Sequence, residues 1–430
     1  MKAVEKFDKT GNLKDSGAEW LGSIPHNWDC IRMKHLFKDV SIKNKPDAEL
    51  LSVTQNQGVV PRTWVENRMV MPSGALASFK FIQQGDFAIS LRSFEGGLEY
   101  CHHDGIISPA YTVLKAQKDF HLNYYKYLFK SSAFISELQT SVVGIREGKN
   151  ISYPELSYSF LPVPPKTEQT AIANFLDKKI ALIDKAIAIK ERQIELLKER
   201  RQILINRAVT RGLNPNVKMK DSGVEWIGEI PKHWEIKKLK FIGSIKYGLG
   251  QPPKEKENGL RLIRATNVER GEINEKDLLR VDPDDIPWKR DPELKENDII
   301  VVRSGAYTGD SAIITREYSG AIAGYDMVLT PTNISPSFLA FSLLSNYILY
   351  NQLYVLRLRA AQPHLNAEEL GETLVLLPTQ KEQEDISNYI KHFSNKVKVA
   401  MKNKETEIKI LNEYKSSLIN SVIIGKIKVV

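Results

Sequence analysis

Apolar residues recur at alternating steps of four and three along two stretches of the chain, and each stretch predicts one long helix. The first series is Leu176, Ile180, Ile183, Ile187, Ile194, Leu197, Leu204 and Ala208, with Lys190 and Arg201 in the intervening seam positions. The second is Ile390, Val397, Met401, Ile408, Leu411, Leu418 and Val422, with Ser394, Lys404 and Lys415 in the intervening seam positions. This heptad pattern is typical of a coiled coil. We therefore expect long helices over residues 166–211 and 380–430.

The charged interruptions of the two series coincide. Lys190 and Lys404 are 214 residues apart, and so are Arg201 and Lys415. A charge in a coiled-coil seam costs stability but fixes the register, so matched interruptions favour two helices packed on each other. The repetition in the chain favours an antiparallel arrangement. The seam residues that carry this prediction are Leu176, Ile183, Ile187, Lys190, Ile194, Leu197, Val397, Met401, Lys404, Ile408 and Leu411.

The segments before each predicted helix repeat one another. KDSGAEWLGSIP at residues 14–25 returns, 206 residues later, as KDSGVEWIGEIP at residues 220–231, and Trp28 returns as Trp234. The shift grows to 214 by the pair Tyr111 and Tyr325, so the second copy is longer in its middle. Similar ends around a divergent middle indicate one scaffold that carries two different recognition surfaces.

Within each copy, short apolar runs at residues 87–89 and 299–302 follow turns and predict buried strands. Residues 124–139 and 337–356 are apolar at helical spacing and predict helices packed on a sheet. The predicted fold is α+β. It has two pseudo-symmetric domains, at residues 1–165 and 212–379, joined by two long antiparallel coiled-coil helices at residues 166–211 and 380–430.

Charge is concentrated in the predicted helices. The net charge of the chain is +9, of which residues 166–211 contribute +5 and residues 380–430 contribute +4. A basic excess favours a polyanionic partner such as nucleic acid. The two cysteines exclude a disulfide framework, and the charged N-terminus has no apolar segment behind it, so we expect a cytoplasmic protein. Polar residues interrupt residues 338–356, which favours a buried helix over a membrane span.

No motif for catalysis is complete. Residues 108–111 (SPAY) are similar to the base-stacking motif of amino-methyltransferases, but alanine replaces the second proline and no glycine-rich cofactor loop precedes them. Residues 144–150 (GIREGKN) have the wrong spacing for a phosphate-binding loop. His102 and His103 have no partner at metal-ligand spacing. We expect a non-catalytic chain without a metal site.

Three elements together resemble the DNA-specificity subunit of type I restriction–modification systems. They are the duplicated opening motif, the PPKTEQ entry to the first long helix at residues 164–169, and the VTRGL exit at residues 209–213. The second helix entry departs from the pattern, with a single proline at Pro378. The resemblance covers essentially the whole chain. It implies two target-recognition domains that each read one half of a bipartite, asymmetric site in double-stranded DNA, with the paired helices setting the gap.

The same resemblance implies partners and cofactors. Two methyltransferase subunits would use S-adenosylmethionine to methylate adenine N6, and restriction or translocase subunits would use ATP and Mg; this chain would hold no cofactor and bind no membrane. Two alternatives stay open from the sequence. One is the specificity subunit of another multi-subunit restriction class, and the other is a stand-alone duplicated DNA-binding architectural protein.

Arginine suits guanine, and asparagine or glutamine suits adenine, because their paired donors and acceptors match those base edges in the major groove. Basic and polar residues in loops beside glycines are therefore the candidate DNA contacts. They are Gln55, Asn56, Arg92, Ser93, Arg146, Lys149 and Asn150 in the first domain, and Arg264, Asn267, Arg303, Ser304, Tyr307, Arg359, Gln362 and His364 in the second.

Overall fold

The computed structural model describes residues 5–6, 13–65, 76–143, 150–357 and 363–429. The chain forms two compact units. The first unit contains Met1–Glu191 and Glu405–Val430, and the second unit contains Arg192–Lys404. The two long helices, Lys166–Arg211 and Gln380–Ile423, therefore each contribute to both units. This division differs from the sequence-based one, which assigned each helix to a segment of its own.

The first unit is built from short strands and short helices. Its strands are Glu5–Lys6, Leu13–Asp15, Ser23–Pro25, Asp29–Arg32, Phe37–Val40, Leu51–Thr54, Gly58–Pro61, Lys80–Ile82, Phe87–Ile89, Glu99–Tyr100, Gly105–Ile107, Thr112–Ala116, Val142–Val143, Asn150–Ile151, Phe160–Val163 and Ile427–Lys428. Its α-helices other than the long ones are Ser93–Gly96, Leu122–Leu128, Ser132–Thr140 and Tyr153–Leu156, and its 3-10 helices are Met33–His35, Arg62–Trp64 and Leu76–Ser78.

The second unit has the same kinds of element. Its strands are Met219–Asp221, Glu229–Pro231, Glu235–Lys238, Gly243–Tyr247, Glu255–Ile263, Val268–Glu269, Glu272–Ile273, Leu279–Val281, Ile299–Val301, Ser311–Ile313, Ile322–Ala323, Met327–Pro331 and Leu374–Leu377. Its α-helices are Pro336–Leu343, Asn346–Ile348, Tyr354–Arg357 and Ala367–Gly371, with a π-helical turn at Leu349–Leu353. Its 3-10 helices are Leu239–Phe241, Ala265–Asn267, Pro283–Asp285, Trp288–Arg290 and Arg316–Tyr318.

Each unit contains one four-stranded antiparallel sheet, and the strand order is the same in both. In the first unit the order is Glu99–Tyr100, Phe87–Ile89, Thr112–Ala116 and Phe37–Val40. In the second it is Ser311–Ile313, Ile299–Val301, Met327–Pro331 and Gly243–Tyr247. The units differ beside these sheets. The first has a hairpin of Leu51–Thr54 and Gly58–Pro61, whereas the second has a three-stranded sheet around the nine-residue strand Glu255–Ile263.

The two predicted packing helices are each broken near their middle. The break in the first unit lies at Ser131, and that in the second at Ser345, 214 residues later. Both serines are buried, and each hydroxyl donates to a carbonyl three residues earlier, on Leu128 and Ser342 respectively. A serine hydroxyl that bonds locally to the backbone competes with helix continuation. The prediction of one continuous helix over residues 124–139 and one over 337–356 was wrong at these points.

The long helices pack antiparallel within each unit. In the first unit Asp184 pairs with Lys415 at 2.7 Å and Lys190 pairs with Glu407. Residue numbers therefore rise along the first helix while those of their partners fall along the second. In the second unit the guanidinium Nε of Arg201 donates to Ser394 Oγ at 3.2 Å. Every predicted seam residue is buried or half-buried. The predicted antiparallel coiled-coil pairing is confirmed.

No helix in the described part of the chain is both long enough and apolar enough to span a bilayer. Over the same residues, His, Cys, Asp and Glu side chains do not gather in threes at metal-binding geometry.

Candidate nucleic-acid interface

In the first unit the predicted contacts Gln55 and Asn56 lie in the exposed turn of a hairpin. The turn is held by Thr54, whose hydroxyl accepts from the N–H of Gln57 at 3.1 Å and donates to Gly58 O at 2.9 Å. Gln55 Nε2 donates to the backbone oxygen of Arg92 at 3.3 Å. The structure therefore brings Gln55 and the exposed Arg92 together from segments that are 37 residues apart.

A lysine–glutamate pair supports this contact from behind. Lys130 Nζ donates to Gln55 O at 3.1 Å, to Gly96 O at 2.9 Å and to Glu99 Oε1 at 2.6 Å. Glu99 is fully buried, and burial raises its pKa to about 7, although the charge of Lys130 acts in the opposite direction. We call Gln55, Arg92, Glu99 and Lys130 the first-unit ridge.

Ser93 is not available to DNA in this arrangement. Its side chain is fully buried, and its hydroxyl accepts from the backbone N–H of Ser90 at 2.8 Å. The side chain shapes the turn that carries Arg92, and we withdraw it from the predicted contacts.

In the second unit the guanidinium of Arg303 lies over two tyrosine rings. Its guanidinium carbon is 4.5 Å from the ring centroid of Tyr247 and 4.3 Å from that of Tyr325. Both distances are well within the range of cation–π attraction, about 6 Å. Both rings are also partly open to solvent, with Tyr247 41% and Tyr325 47% exposed. We call these three residues the Arg303 clamp.

Three more predicted residues lie beside the Arg303 clamp. His364 Nε2 is 3.2 Å from Arg303 Nη2, and Ser304 forms an antiparallel bridge with His364. Leu365 N donates to Arg303 O at 2.8 Å, so the two segments are joined on both sides of that bridge. Tyr307, in the same loop, is 52% exposed. The structure therefore gathers Arg303, Ser304, Tyr307 and His364 into one place.

A buried carboxylate connects this loop to a third segment. Asp326 is 1% exposed, and its Oδ1 accepts from the backbone N–H of Arg303 at 3.2 Å. Burial raises the pKa of Asp326 to about 6, against the lowering effect of Arg303.

Asn267 has a different role from the one predicted. Asn267 is fully buried; its Oδ1 accepts from Arg264 N at 3.2 Å, and its Nδ2 donates to Asn274 O and Lys276 O at 3.1 Å each. Its amide is therefore fully used inside the protein, and we withdraw it as a DNA contact. Arg264 is half-buried and donates from Nη2 to Asp277 O at 2.8 Å.

Four predicted contacts, Arg146, Lys149, Arg359 and Gln362, lie outside the described residues. Asn150 begins a short strand whose backbone pairs with Val143.

Residues 231–410 match a protein-family model, described as the type I restriction modification DNA specificity domain. The whole chain is also 24% identical, over 447 residues, to the type I restriction enzyme MjaVIII specificity subunit of Methanocaldococcus jannaschii, with 99% of that protein covered. Residues 231–410 therefore match the DNA specificity domain of type I restriction enzymes, and the chain as a whole is similar to the family of type I restriction enzyme specificity subunits. Members of this family are the non-catalytic components of their complexes.

Other comparisons extend over most of the chain. The EcoBI specificity subunit of Escherichia coli is 26% identical over 73% of this chain and 68% of its own length. A solved chain from work on complex assembly and conformational transition of the type I R-M system covers 93% of this chain and 98% of its own, at a TM-score of 0.67 and 13% identity. The solved HsdS subunit from Thermoanaerobacter tengcongensis covers 94% of this chain and 98% of its own, at a TM-score of 0.50 and 15% identity. At these identities the structures support the fold alone.

Sequence reasoning missed Tyr247, Tyr325 and Asp326. Tyr325 was identified only as the repeat partner of Tyr111. One signal was available: Tyr247 precedes a glycine, Gly248, and Tyr325 follows another, Gly324. Aromatic residues beside glycines in two separate segments are consistent with a close crossing of backbones.

Proposed function

We propose that the chain is the DNA-recognition subunit of a type I restriction–modification complex, in which each unit reads one half of a bipartite, asymmetric DNA site. The observation that carries this proposal is the combination of a repeated scaffold with different exposed loops. Both units have the same four-stranded sheet order. Arg92 of the first-unit ridge and Arg303 of the Arg303 clamp both follow the corresponding strand of that sheet, Phe87–Ile89 and Ile299–Val301 respectively. Two readers on one scaffold suit a target whose two halves differ in sequence.

The long helices are proposed to set the gap between the two half-sites. The seam from Leu176 to Ala208 would extend roughly 50 Å at ~1.5 Å per residue. Equivalent positions on one face of B-DNA recur about every 34–36 Å, so the helices are long enough to hold two readers about one turn apart. The lysines and arginines of these helices carry most of the net charge of the chain and would favour the DNA backbone.

The first long helix also offers a surface for partner subunits. Leu182, Ile189, Leu196 and Ile203 recur at intervals of seven, and each is between 46% and 64% exposed. A second apolar heptad stripe on a helix that already has a seam is typical of a helix that packs in a larger bundle. We call these four residues the outer stripe. It is where two methyltransferase subunits, and the restriction subunits with them, would be expected to dock.

Cofactors follow from this assignment. The methyltransferase subunits would supply S-adenosylmethionine for adenine N6 methylation, and the restriction subunits would supply ATP and Mg for cleavage. This chain would contribute recognition and assembly without a cofactor of its own.

Methylation mapping tests the proposal directly. Co-expression of the chain with its methyltransferase subunits, in cells that lack other adenine methylation, should produce N6-methyladenine in one split motif with a fixed gap. Cells that express the methyltransferase subunits alone are the control. A continuous motif, or no methylation, would contradict the bipartite proposal.

A domain graft tests the division between the two readers. Replacing residues 212–379 with the corresponding segment of another family member should change one half of the motif and preserve the other half and the gap. The reciprocal graft of residues 1–165 should change only the other half. Two halves that change together in either graft would contradict the assignment of one reader to each unit.

A further inference from the structure

We propose that Arg303 reads a guanine in the half-site of the second unit, and that Tyr247, Tyr325 and Asp326 are positioning residues that fix its guanidinium before DNA binds. This inference rests on the proposed function and adds to it the base that is read and the side chains that make the reading specific.

The stacking geometry restricts how the guanidinium can turn. Ring centroids lie 4.5 Å and 4.3 Å from its central carbon, on Tyr247 and Tyr325 respectively. A planar cation stacked on aromatic rings keeps its in-plane N–H groups available to donate from its edge. An arginine held in this way loses less side-chain entropy on binding than one that is free in solution. The clamp is therefore organised before its ligand arrives.

The backbone around the clamp is held by a close crossing of two segments. A Cβ atom on Gly248 would lie 2.1 Å from Gly324 O, so no other residue fits at Gly248 without displacing the neighbouring chain. Gly248 N donates to Asp326 O at 2.9 Å, and Leu249 N donates to Ala323 O at 3.1 Å. Tyr247 and Tyr325 each adjoin this crossing, which fixes the separation of the two rings.

Asp326 holds the backbone of Arg303 in place. Its Oδ1 accepts from the backbone N–H of Arg303, while its Oδ2 is buried and has no hydrogen-bond partner among the described residues. A buried carboxylate that retains an unused acceptor is costly, and its charge is offset here by the nearby arginine. The carboxylate thus fixes the backbone position of Arg303 and attracts its side chain.

The donors of Arg303 that can reach a ligand form one edge. Its Nε is buried without a hydrogen-bond partner in the described part of the chain, so only Nη1 and Nη2 can face outward. Nη2 is close to His364, which can occupy only one of its two N–H groups. Nη1 and Nη2 therefore each keep an N–H group for a ligand. Two adjacent donors in a fixed plane match O6 and N7 of guanine in the major groove. A phosphate contact does not require this fixed plane, since lysine also binds phosphate, as a point charge.

The first unit has no equivalent clamp at the aligned positions. Leu91 stands where the 212-residue shift places Arg303, and Thr112 stands where the 214-residue shift places Asp326. An arginine held by two tyrosines and a buried aspartate is therefore a feature of the second unit.

Methylation mapping of variants provides the first test, with the full chain and its methyltransferase subunits. Arg303→Ala should make one G·C position of the second half-site degenerate and leave the other half and the gap unchanged. Arg303→Lys should relax the same position, because it keeps the charge but loses the paired donors. Arg316→Ala, which removes another exposed arginine of the same unit, is the matched control and should leave the motif unchanged.

Binding to modified duplexes isolates the contact. Replacing the assigned guanine with 7-deazaguanine removes N7, and should weaken binding by the wild-type complex about ten-fold while leaving the Arg303→Ala complex unaffected. Tyr325→Ala should reduce this discrimination, and Tyr325→Phe should retain it because the ring remains. Asp326→Asn should reduce it as well, since the amide lacks the charge that attracts the guanidinium.

The outcomes separate this inference from the proposed function. A split motif without any guanine in the second half-site, or one that Arg303→Ala leaves intact, would overturn the guanine assignment while the bipartite reading stands. Arg303→Lys with wild-type specificity would instead identify a phosphate contact. If Arg303→Ala prevents folding, the comparison of Tyr325→Ala with Tyr325→Phe still tests whether the discrimination against 7-deazaguanine depends on the stacked ring. Absence of any split motif in the wild-type complex would count against the proposed function itself.

Discussion

Trp28 donates its indole N–H to Glu168 Oε2 at 2.8 Å, and Trp234 makes the equivalent bond to Glu382 Oε1 at 3.4 Å. Each tryptophan belongs to one copy of the opening motif, and each glutamate lies in the first turn of the long helix that follows. Gly425, after the second helix, lies against Trp28, and Gly212, after the first, lies against Trp234. Each buried tryptophan therefore joins the start of one helix to the end of the other.

This bond predicts a measurable cost when the acceptor is removed. Glu168→Ala would leave the buried indole N–H of Trp28 without its partner and should lower the free energy of unfolding of the first unit by about 1–3 kcal/mol. The effect should appear in hydrogen–deuterium exchange as faster exchange around Trp28 and at the start of the first long helix.

Glu168→Gln is the matched control, because the amide oxygen can still accept from the indole. Its exchange should remain close to that of the wild type, and exchange in the second unit should be unchanged in both variants. Equal loss in the Ala and Gln variants would show that the charge at the helix start matters and the indole bond does not.

Gly97 should be intolerant of a side chain. Its φ is +76°, and a Cβ atom there would lie 1.9 Å from the backbone oxygen of Phe129. Gly97→Ala should therefore lower the free energy of unfolding of the first unit by about 3 kcal/mol or more, because the backbone at Gly97 or Phe129 has to move. Gly17→Ala provides the control: φ is +72°, but no described atom lies within 4 Å, so the cost should be only about 1–2 kcal/mol. Equal losses of unfolding free energy for the two variants in chemical denaturation would contradict the close approach of Gly97 to Phe129.

Glu99 predicts how the stability of the first unit depends on pH. Its ordinary pKa is 4.5, and burial raises the folded-state pKa to about 7. Between these values the folded state holds a proton that the unfolded chain has released. The free energy of unfolding should therefore decrease as pH rises from 4.5 to 7, by up to about 3 kcal/mol for this group.

Glu99→Gln removes that titration and should flatten this part of the pH profile. Hydrogen exchange in the strands Phe87–Ile89 and Thr112–Ala116 provides a local measurement, because the first strand pairs with that of Glu99. The exposed Glu95→Gln variant is the control and should keep the wild-type slope. An unchanged slope in Glu99→Gln would mean that Lys130 keeps Glu99 ionised throughout.

The periodic features of the fold could be predicted from the sequence. The heptad seam, the repeat and the strands at Phe87 and Ile299 follow from local patterns of apolar residues, which the burial in the structure confirms. The helix breaks at Ser131 and Ser345 could not, because the surrounding apolar spacing continues through them. Whether a serine hydroxyl bonds to its own backbone depends on the packing that buries it.

The candidate site was only partly predictable for a similar reason. Arg303 and His364 were chosen for their chemistry, but their proximity depends on a bridge between segments 61 residues apart. The Arg303 clamp needs two further segments, at Tyr247 and Tyr325. Ser93 and Asn267 were chosen by residue type, but both side chains are buried, which excludes them as DNA contacts. Residue type indicates what a side chain can bind, whereas exposure depends on contacts across the fold.

The outer stripe predicts a separation between folding and assembly. Leu196 and Ile203 are 46% and 59% exposed, so replacing both with glutamate should change the free energy of unfolding of the free chain by less than about 1 kcal/mol. A methyltransferase subunit that packs there would have to bury two charges, so co-purification should be strongly reduced. Val399→Glu, at an exposed position of the other long helix, is the control and should retain its partners. Normal assembly of the double variant would exclude the outer stripe as the docking surface, whereas loss in both variants would extend that surface to the second helix.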